Sequence, residues 1–136
     1  MALHSWNTDV NPGIKYFSGT ATYRSEFTAP ATWFFNHKQL EVDLGAVKCI
    51  AEVLVNGMSA GVLWQAPFRT DITRLLKRGA NQITVKVTNL WPNRLIGDKQ
   101  PDAAPVVFAP FNPYAADSPL LDSGLLGPVT LNGVNR

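Results

Sequence analysis

At 136 residues the chain has the length of one domain, enough to bury roughly two-thirds of its unfolded surface. Its 12 basic and 10 acidic side chains leave a net charge of +2 with the basic residues scattered, which excludes the clustered basic face that nucleic acid requires. No run nears the roughly 18 apolar residues of a membrane span, and the lone cysteine, Cys49, excludes an internal disulfide.

Taken in chain order, the opening "MALHSWNTDV" lacks a basic-then-apolar secretion signal and reads as the start of a mature or excised piece. "GTATYRSEF" (Gly19–Phe27) alternates with period 2, placing Ala21, Tyr23, Ser25 and Phe27 on one face and Thr20, Thr22, Arg24 and Glu26 on the other. "QLEVDLG" turns Leu40, Val42 and Leu44 inward. "IAEVLVNG" is a strand closed at Asn56-Gly57, a dipeptide that tolerates positive φ and so marks a tight hairpin turn, with "AGVLW" as the return strand. "DITRLLKRG" (Asp71–Gly79) has room for one or two helical turns, with Thr70 or Asp71 as N-cap and Gly79 as stop. "NQITVKVTN" alternates again, with Ile83, Val85 and Val87 on one face. The Pro-rich stretch from Ile96 to Ser123 is weakly patterned and long enough to be functional or to cross the molecule. "PVVFAPF" and "GPVTLNG" are late strand candidates. Many short strands with turns between them predict a single all-β domain over residues 1–136: an antiparallel sandwich, jelly-roll or barrel.

Catalytic constellations are hard to assemble. Glycoside hydrolysis needs two opposed carboxylates, one with a raised pKa, yet Glu26, Glu41 and Asp43 sit on solvated strand faces and Asp71 reads as a cap. Glu52, alone in an apolar strand, is expected to pair with an arginine or bond to backbone. His4 and His37 lie in loop-like contexts and cannot be built into a Ser-His-Asp set. Cys49 is expected to be a buried small hydrophobe. No CxxC, HxH or HExxH spacing supports zinc. A calcium site needs only oxygens, for which Asp9 with Asn7 and Asn11, or Asp98, are the candidates.

The aromatics are more informative. Trp6, Trp33, Trp64 and Trp91 each fall at or beyond a strand end, and core burial is the ordinary fate of each. A sugar site, however, needs an aromatic face for the apolar side of a pyranose and planar side chains for its hydroxyls. "LWQAPFR" (Leu63–Arg69) and "LWPNRLIGD" (Leu90–Asp98) offer both. The candidate contact residues are Trp64, Trp91, Arg69, Asn93, Arg94 and Asp98, with Trp33 and Tyr114 behind them.

The block from "LEVDLG" through "AEVLVNG", "GVLWQAPF", "DIT" and "NRLIGD", followed by "SGLLGPV", resembles the sugar-binding, galactose-binding-like β-sandwich domain of family 2 glycoside hydrolases, in the version near the C-terminus of large bacterial α-L-rhamnosidase-type enzymes. The matching motifs cover about two-thirds of the chain in order. The resemblance implies a jelly-roll with no catalytic residues of its own, a secreted or periplasmic setting, and oligo- or polysaccharide or a neighbouring catalytic domain as partner. It implies that "PFRTDIT" crosses between the sheets. Arg94 then either hydrogen-bonds loop carbonyls or pairs with Asp98 or Glu52 to pin the long excursion that returns at "SGLLGPV", or faces a sugar or the neighbouring catalytic domain together with Asn93 and Asp98. Three functions follow as expectations: a carbohydrate-binding or accessory domain, a structural domain packed on a catalytic domain, and an independent small hydrolase as the remotest.

Overall fold

A computed structural model describes residues 2–35 and 38–135, so His37 lies outside the described residues. The elements in order are helix α1 (Pro12–Lys15), strands β1 (Thr20–Ala29), β2 (Gln39–Asp43), β3 (Ala46–Lys48), β4 (Ile50–Val55), β5 (Met58–Leu63), β6 (Arg69–Asp71) and β7 (Gly79–Thr88), helix α2 (Pro92–Gly97), and strands β8 (Gly124–Gly127) and β9 (Thr130–Val134). Tight 3-10 turns occupy Trp6–Thr8, Ala31–Phe34 and Thr73–Leu75.

One layer is a four-stranded antiparallel sheet in the order β1-β7-β4-β5. The other is built from β6-β2-β9 and β3-β8. These two small sheets continue one another, since Asp43 of β2 faces Thr130 of β9 and, a few residues on, Ala46 of β3 faces Gly127 of β8. The second layer is therefore one bent ribbon, kinked where Gly45 bridges Gly127. Ala51, Val53, Val55, Ile83, Val85 and Val87 of the first layer meet Leu40, Val42, Leu44, Val47 and Leu125 of the second in one core. Each such valine, leucine or isoleucine, once buried, contributes about 1.5–3 kcal/mol of transfer free energy, which is why the period-2 pattern fixes which face turns inward. This is the antiparallel β-sandwich that the alternation predicts.

The hairpin between β4 and β5 also matches its sequence. Asn56 (φ 52°) and Gly57 (φ 81°) form a two-residue loop with both central residues at positive φ, matching the right-handed twist of the strands. Asn56 also ties the hairpin to its surroundings. Its Nδ2 donates to the Leu75 carbonyl (2.9 Å) and to Asn81 Oδ1 (2.8 Å), while its Oδ1 accepts from the Gln82 N–H (3.1 Å). Gly57→Val should lower stability by about 1–2 kcal/mol through backbone strain alone, seen as a shifted urea midpoint at constant m-value. An unchanged midpoint would show that the turn is not held at positive φ. The crossing between layers falls between β5 and β6, where the carbonyl of the buried Phe68 accepts the Leu44 N–H at 2.9 Å.

Several local expectations are corrected. "PVVFAPF" is not a strand but uncovered coil: Pro105 and Pro110 remove donors that a ladder would need. "GPVTLNG" is split, with Gly127 closing β8 and Thr130 opening β9. "DITRLLKRG" makes only the 3-10 turn, started by the Asp71 carboxylate accepting the Thr73 N–H at 2.8 Å, and Gly79 already belongs to β7. Helices α1 and α2 were not foreseen; each carries a proline in its first turn, where the missing N–H has no cost. Cys49 is half-buried rather than buried, at φ 90°, because it is the corner at which the chain leaves the β3 ladder for β4. Glu52 pairs with Lys86 (3.8 Å), not with an arginine or backbone, and accepts from the Ser59 hydroxyl (3.4 Å) on the outer face of the sheet, where such pairs contribute little.

The N-terminal segment closes one side of the core. The buried Trp6 lies edge-on to Phe17 with ring centroids 5.5 Å apart, and its Nε1 donates to the Tyr23 hydroxyl at 2.6 Å. That hydroxyl also accepts the Leu125 N–H (3.3 Å), and the Trp6 N–H donates to the Ser123 carbonyl (3.1 Å). Gly124 (φ 93°) lies against the indole so closely that an added Cβ would stand 2.5 Å from it.

Candidate functional site

Strands β5 and β7 are both antiparallel to β4 and so run the same way, ending where β4 begins: Leu63 faces Ala51, and Thr88 faces Ile50. Trp64 is the residue after β5 and Trp91 caps the N-terminus of α2 just beyond β7, so both stand at one end of the four-stranded sheet. One strand separates theirs, a lateral offset of about 10 Å. Trp64 is 70% and Trp91 59% exposed, and the exposed Ile50 and Leu90 belong to the same end. This is an open, apolar sheet end with two largely exposed indoles. The hollow beside it, between Cys49, Leu90, Asn93 and Leu121, holds only about 20 Å³. That is room for about one water, so a sugar would be held on the surface and not within a cavity.

The polar candidates are deployed differently. Asn93 is 2% exposed; its Nδ2 donates to the Leu121 carbonyl (2.7 Å) and its Oδ1 accepts the Leu121 N–H (2.8 Å). Both amide atoms are thus engaged in holding the returning chain. Arg94 of α2 and Asp98, which caps the C-terminus of that helix, form an ion pair at 2.9 Å with the Asp98 side chain 6% exposed. The Asp98 carboxylate also accepts the Val106 (3.1 Å) and Val107 (3.0 Å) N–H groups. Burial pushes its pKa up, but those two donors and the guanidinium outweigh burial and hold the carboxyl below its ordinary value. Of the two roles open to Arg94, the ion pair that pins the long excursion is the one its geometry serves.

The other candidates are dispersed. Arg69, on β6 in the second layer, donates its Nε to Asp43 at 2.8 Å. Trp33 belongs to the 3-10 turn after β1 and packs half-buried on the core. Since Ala29 of β1 faces Gly79 while Thr20 faces Thr88, Trp33 is at the far end of the sheet from Trp64 and Trp91, roughly 30 Å away along a ten-residue strand. Tyr114 is half-buried in the long coil, its N–H donating to Asn112 Oδ1 at 3.0 Å.

The oxygens considered for calcium are largely occupied. Asp9 accepts the Asn11 N–H at 2.8 Å and contacts His4 Nε2 at 3.2 Å, and Asn11 Oδ1 caps α1 through the Gly13 N–H at 2.9 Å. The Asn11 N–H lowers the Asp9 pKa most, followed by His4, whose own pKa is raised chiefly by the bond to Asp9. Asn7 donates its Nδ2 to Asp122 at 3.3 Å, while its Oδ1 is buried without a hydrogen-bond partner among the described residues. Among the described residues no three His, Cys, Asp or Glu side chains gather as a metal site. The sequence reading missed Phe108 and Phe111, 93% and 79% exposed on the long coil. The available signal was an uncharged, proline-broken run with no partner strand to hide it.

Comparison with known proteins places this architecture. No family model matches the chain. A protein of Formosa agariphila described as "Putative beta-glucuronidase" is 43% identical over 154 residues, covering 96% of this chain and 13% of that protein. A second protein so described from the same organism is 31% identical over 73% of this chain and 12% of its own length. The solved rhamnosidase of Novosphingobium sp. PP1Y superposes with a TM-score of 0.90 at 42% identity, covering 95% of this chain and 12% of that one. A β-glucuronidase of an uncultured Clostridium gives a TM-score of 0.57 at 26% identity over 63% of this chain. The chain thus spans about an eighth of the length of the relatives it matches, and corresponds to one small domain of these glycoside hydrolases.

Proposed function

We propose that this chain is a non-catalytic accessory domain of a larger glycoside hydrolase, and that its Trp64–Trp91 end contacts glycan. One observation carries the reading: 95% of the chain superposes on 12% of a rhamnosidase, with a TM-score of 0.90 at 42% identity. The chemistry agrees. A glycosidase acid needs a carboxyl whose pKa is raised, whereas Asp9 and Asp98 are displaced downward. Trp64 and Trp91 offer ring faces, and weak affinity per site is the expectation for a shallow, open surface. The setting proposed with this function is secreted or periplasmic; among the described residues no helix is long and apolar enough to cross a membrane.

Titration calorimetry with rhamnose- and glucuronate-containing oligosaccharides tests the binding. Trp64→Ala and Trp91→Ala should each weaken binding about tenfold or more while leaving the melting temperature within about 2 °C, because exposed side chains add little to stability. Variants that bind as well as the parent would remove the indoles from the site. Variants that unfold would show that they belong to the core. A second reading, a packing domain that binds no sugar alone, is favoured by the uncovered Phe108 and Phe111, and silence against every oligosaccharide would select it.

A further inference from the structure

We infer that residues 103–114 are a preformed docking surface for an apolar patch on a neighbouring domain of the same, longer polypeptide. The inference rests on the accessory-domain reading and names the partner that reading leaves open. Val106, Phe108 and Phe111 are 71%, 93% and 79% exposed on one short stretch of coil. Two phenylalanines and a valine present on the order of 400 Å² of apolar surface, as much as the largest patch on a typical monomer.

This coil is fastened at both ends. The Asp98 carboxylate holds the Val106 and Val107 N–H groups, Asn112 Nδ2 donates to the Leu95 carbonyl at 2.9 Å, and Gln100 Nε2 donates to the Ala116 carbonyl at 3.0 Å. Pro105, Pro110 and Pro113 fix φ at three further positions. A nearly buried ion pair, two amides and three prolines therefore hold a segment whose large side chains touch little of their own fold. Preorganisation of that kind reduces the entropy lost on binding.

The chemistry of the segment selects the occupant. Between Asp102 and Asp117 no side chain is charged, and the Asn112 amide is taken up by Leu95 and Tyr114. That leaves the Tyr114 hydroxyl as the one side-chain group to read sugar hydroxyls, so the segment suits an apolar protein surface better than a glycan. The relatives indicate where such a surface lies: each carries this domain as about an eighth of one longer chain.

Hydroxyl-radical footprinting of the native full-length polypeptide tests the inference. Phe108 and Phe111 should be oxidised several-fold more slowly than in the same polypeptide unfolded in urea, at every protein concentration and without added glycan. Phe108→Asp combined with Phe111→Asp should split a lower-temperature step from its melting curve. Reactivity equal to the unfolded chain, or melting unchanged by the double substitution, overturns the docking surface. Protection that appears only with oligosaccharide identifies a glycan site, protection lost on dilution identifies a second copy, and either result overturns it too. A native polypeptide no longer than this chain sinks the accessory-domain reading itself; unprotected phenylalanines within a longer one sink only the docking surface.

Discussion

Trp6→Ala is expected to destabilise the fold by about 4 kcal/mol, lowering the melting temperature on the order of 10–15 °C, the cost of emptying a large aromatic site that cannot collapse. The loss has separable parts. Trp6→Phe keeps a ring against Phe17 but removes the Nε1–H bond to Tyr23, so it should cost about 1–2 kcal/mol. Gly124→Ala should cost about 3 kcal/mol, because its φ of 93° is unfavourable for alanine and because its Cβ would press on the indole at 2.5 Å. The double variant with Trp6→Ala relieves that collision, so its loss should fall short of the sum by at least about 1 kcal/mol. A double-mutant cycle by urea denaturation reads this directly, and strict additivity would show that indole and glycine do not bear on one another.

Asp98→Ala is expected to cost about 3 kcal/mol, since it leaves the Arg94 guanidinium and the Val106 and Val107 N–H groups without their acceptor. Most of the change should be local: hydrogen exchange at Val106 and Val107 should accelerate far more than in the core strands β4 and β7. Acid should act in the same way. The Asp98 pKa is lowered in the folded state, so its contribution is complete above the unfolded carboxylate value of about 3.9 and is lost as pH falls through the lower folded value. The parent chain should therefore lose protection at these amides below about pH 4, while Asp98→Ala, lacking it already, should show a flatter acid limb. Equal acid dependence in the two proteins would assign the effect elsewhere.

How much of this was legible depended on whether a residue's environment was local. Val85 and Val87 alternate with Lys86, and a slip of one residue would bury the lysine, so the face of β7 could be read directly. Asn56-Gly57 declared its turn for an equally local reason. The ends of the two indole strands could be read too, and Trp64 and Trp91 lie exposed beyond them. Trp6 and Trp33, equally aromatic and equally placed at element ends, could not be sorted from them, because their cover comes from Tyr23, Phe17 and the core across the molecule. Asn93 looked like a sugar-binding amide for the same reason: only the return of the chain, 28 positions later, occupies it. α2 went unrecognised because six residues show too little periodicity to stand out.

The stitch between Ser5 and Ser123 spans 118 positions, with the Ser5 hydroxyl accepting the Ser123 N–H at 2.9 Å, and Trp6 pairs backbone with the same residue. During synthesis, then, an indole near the start of this domain lacks the Ser123 side of its seat until nearly the whole domain has left the ribosome. Final consolidation is deferred to the very last strands, and a nascent chain halted before Gly124 would leave its hydrophobic interior unsealed to chaperones and proteases alike.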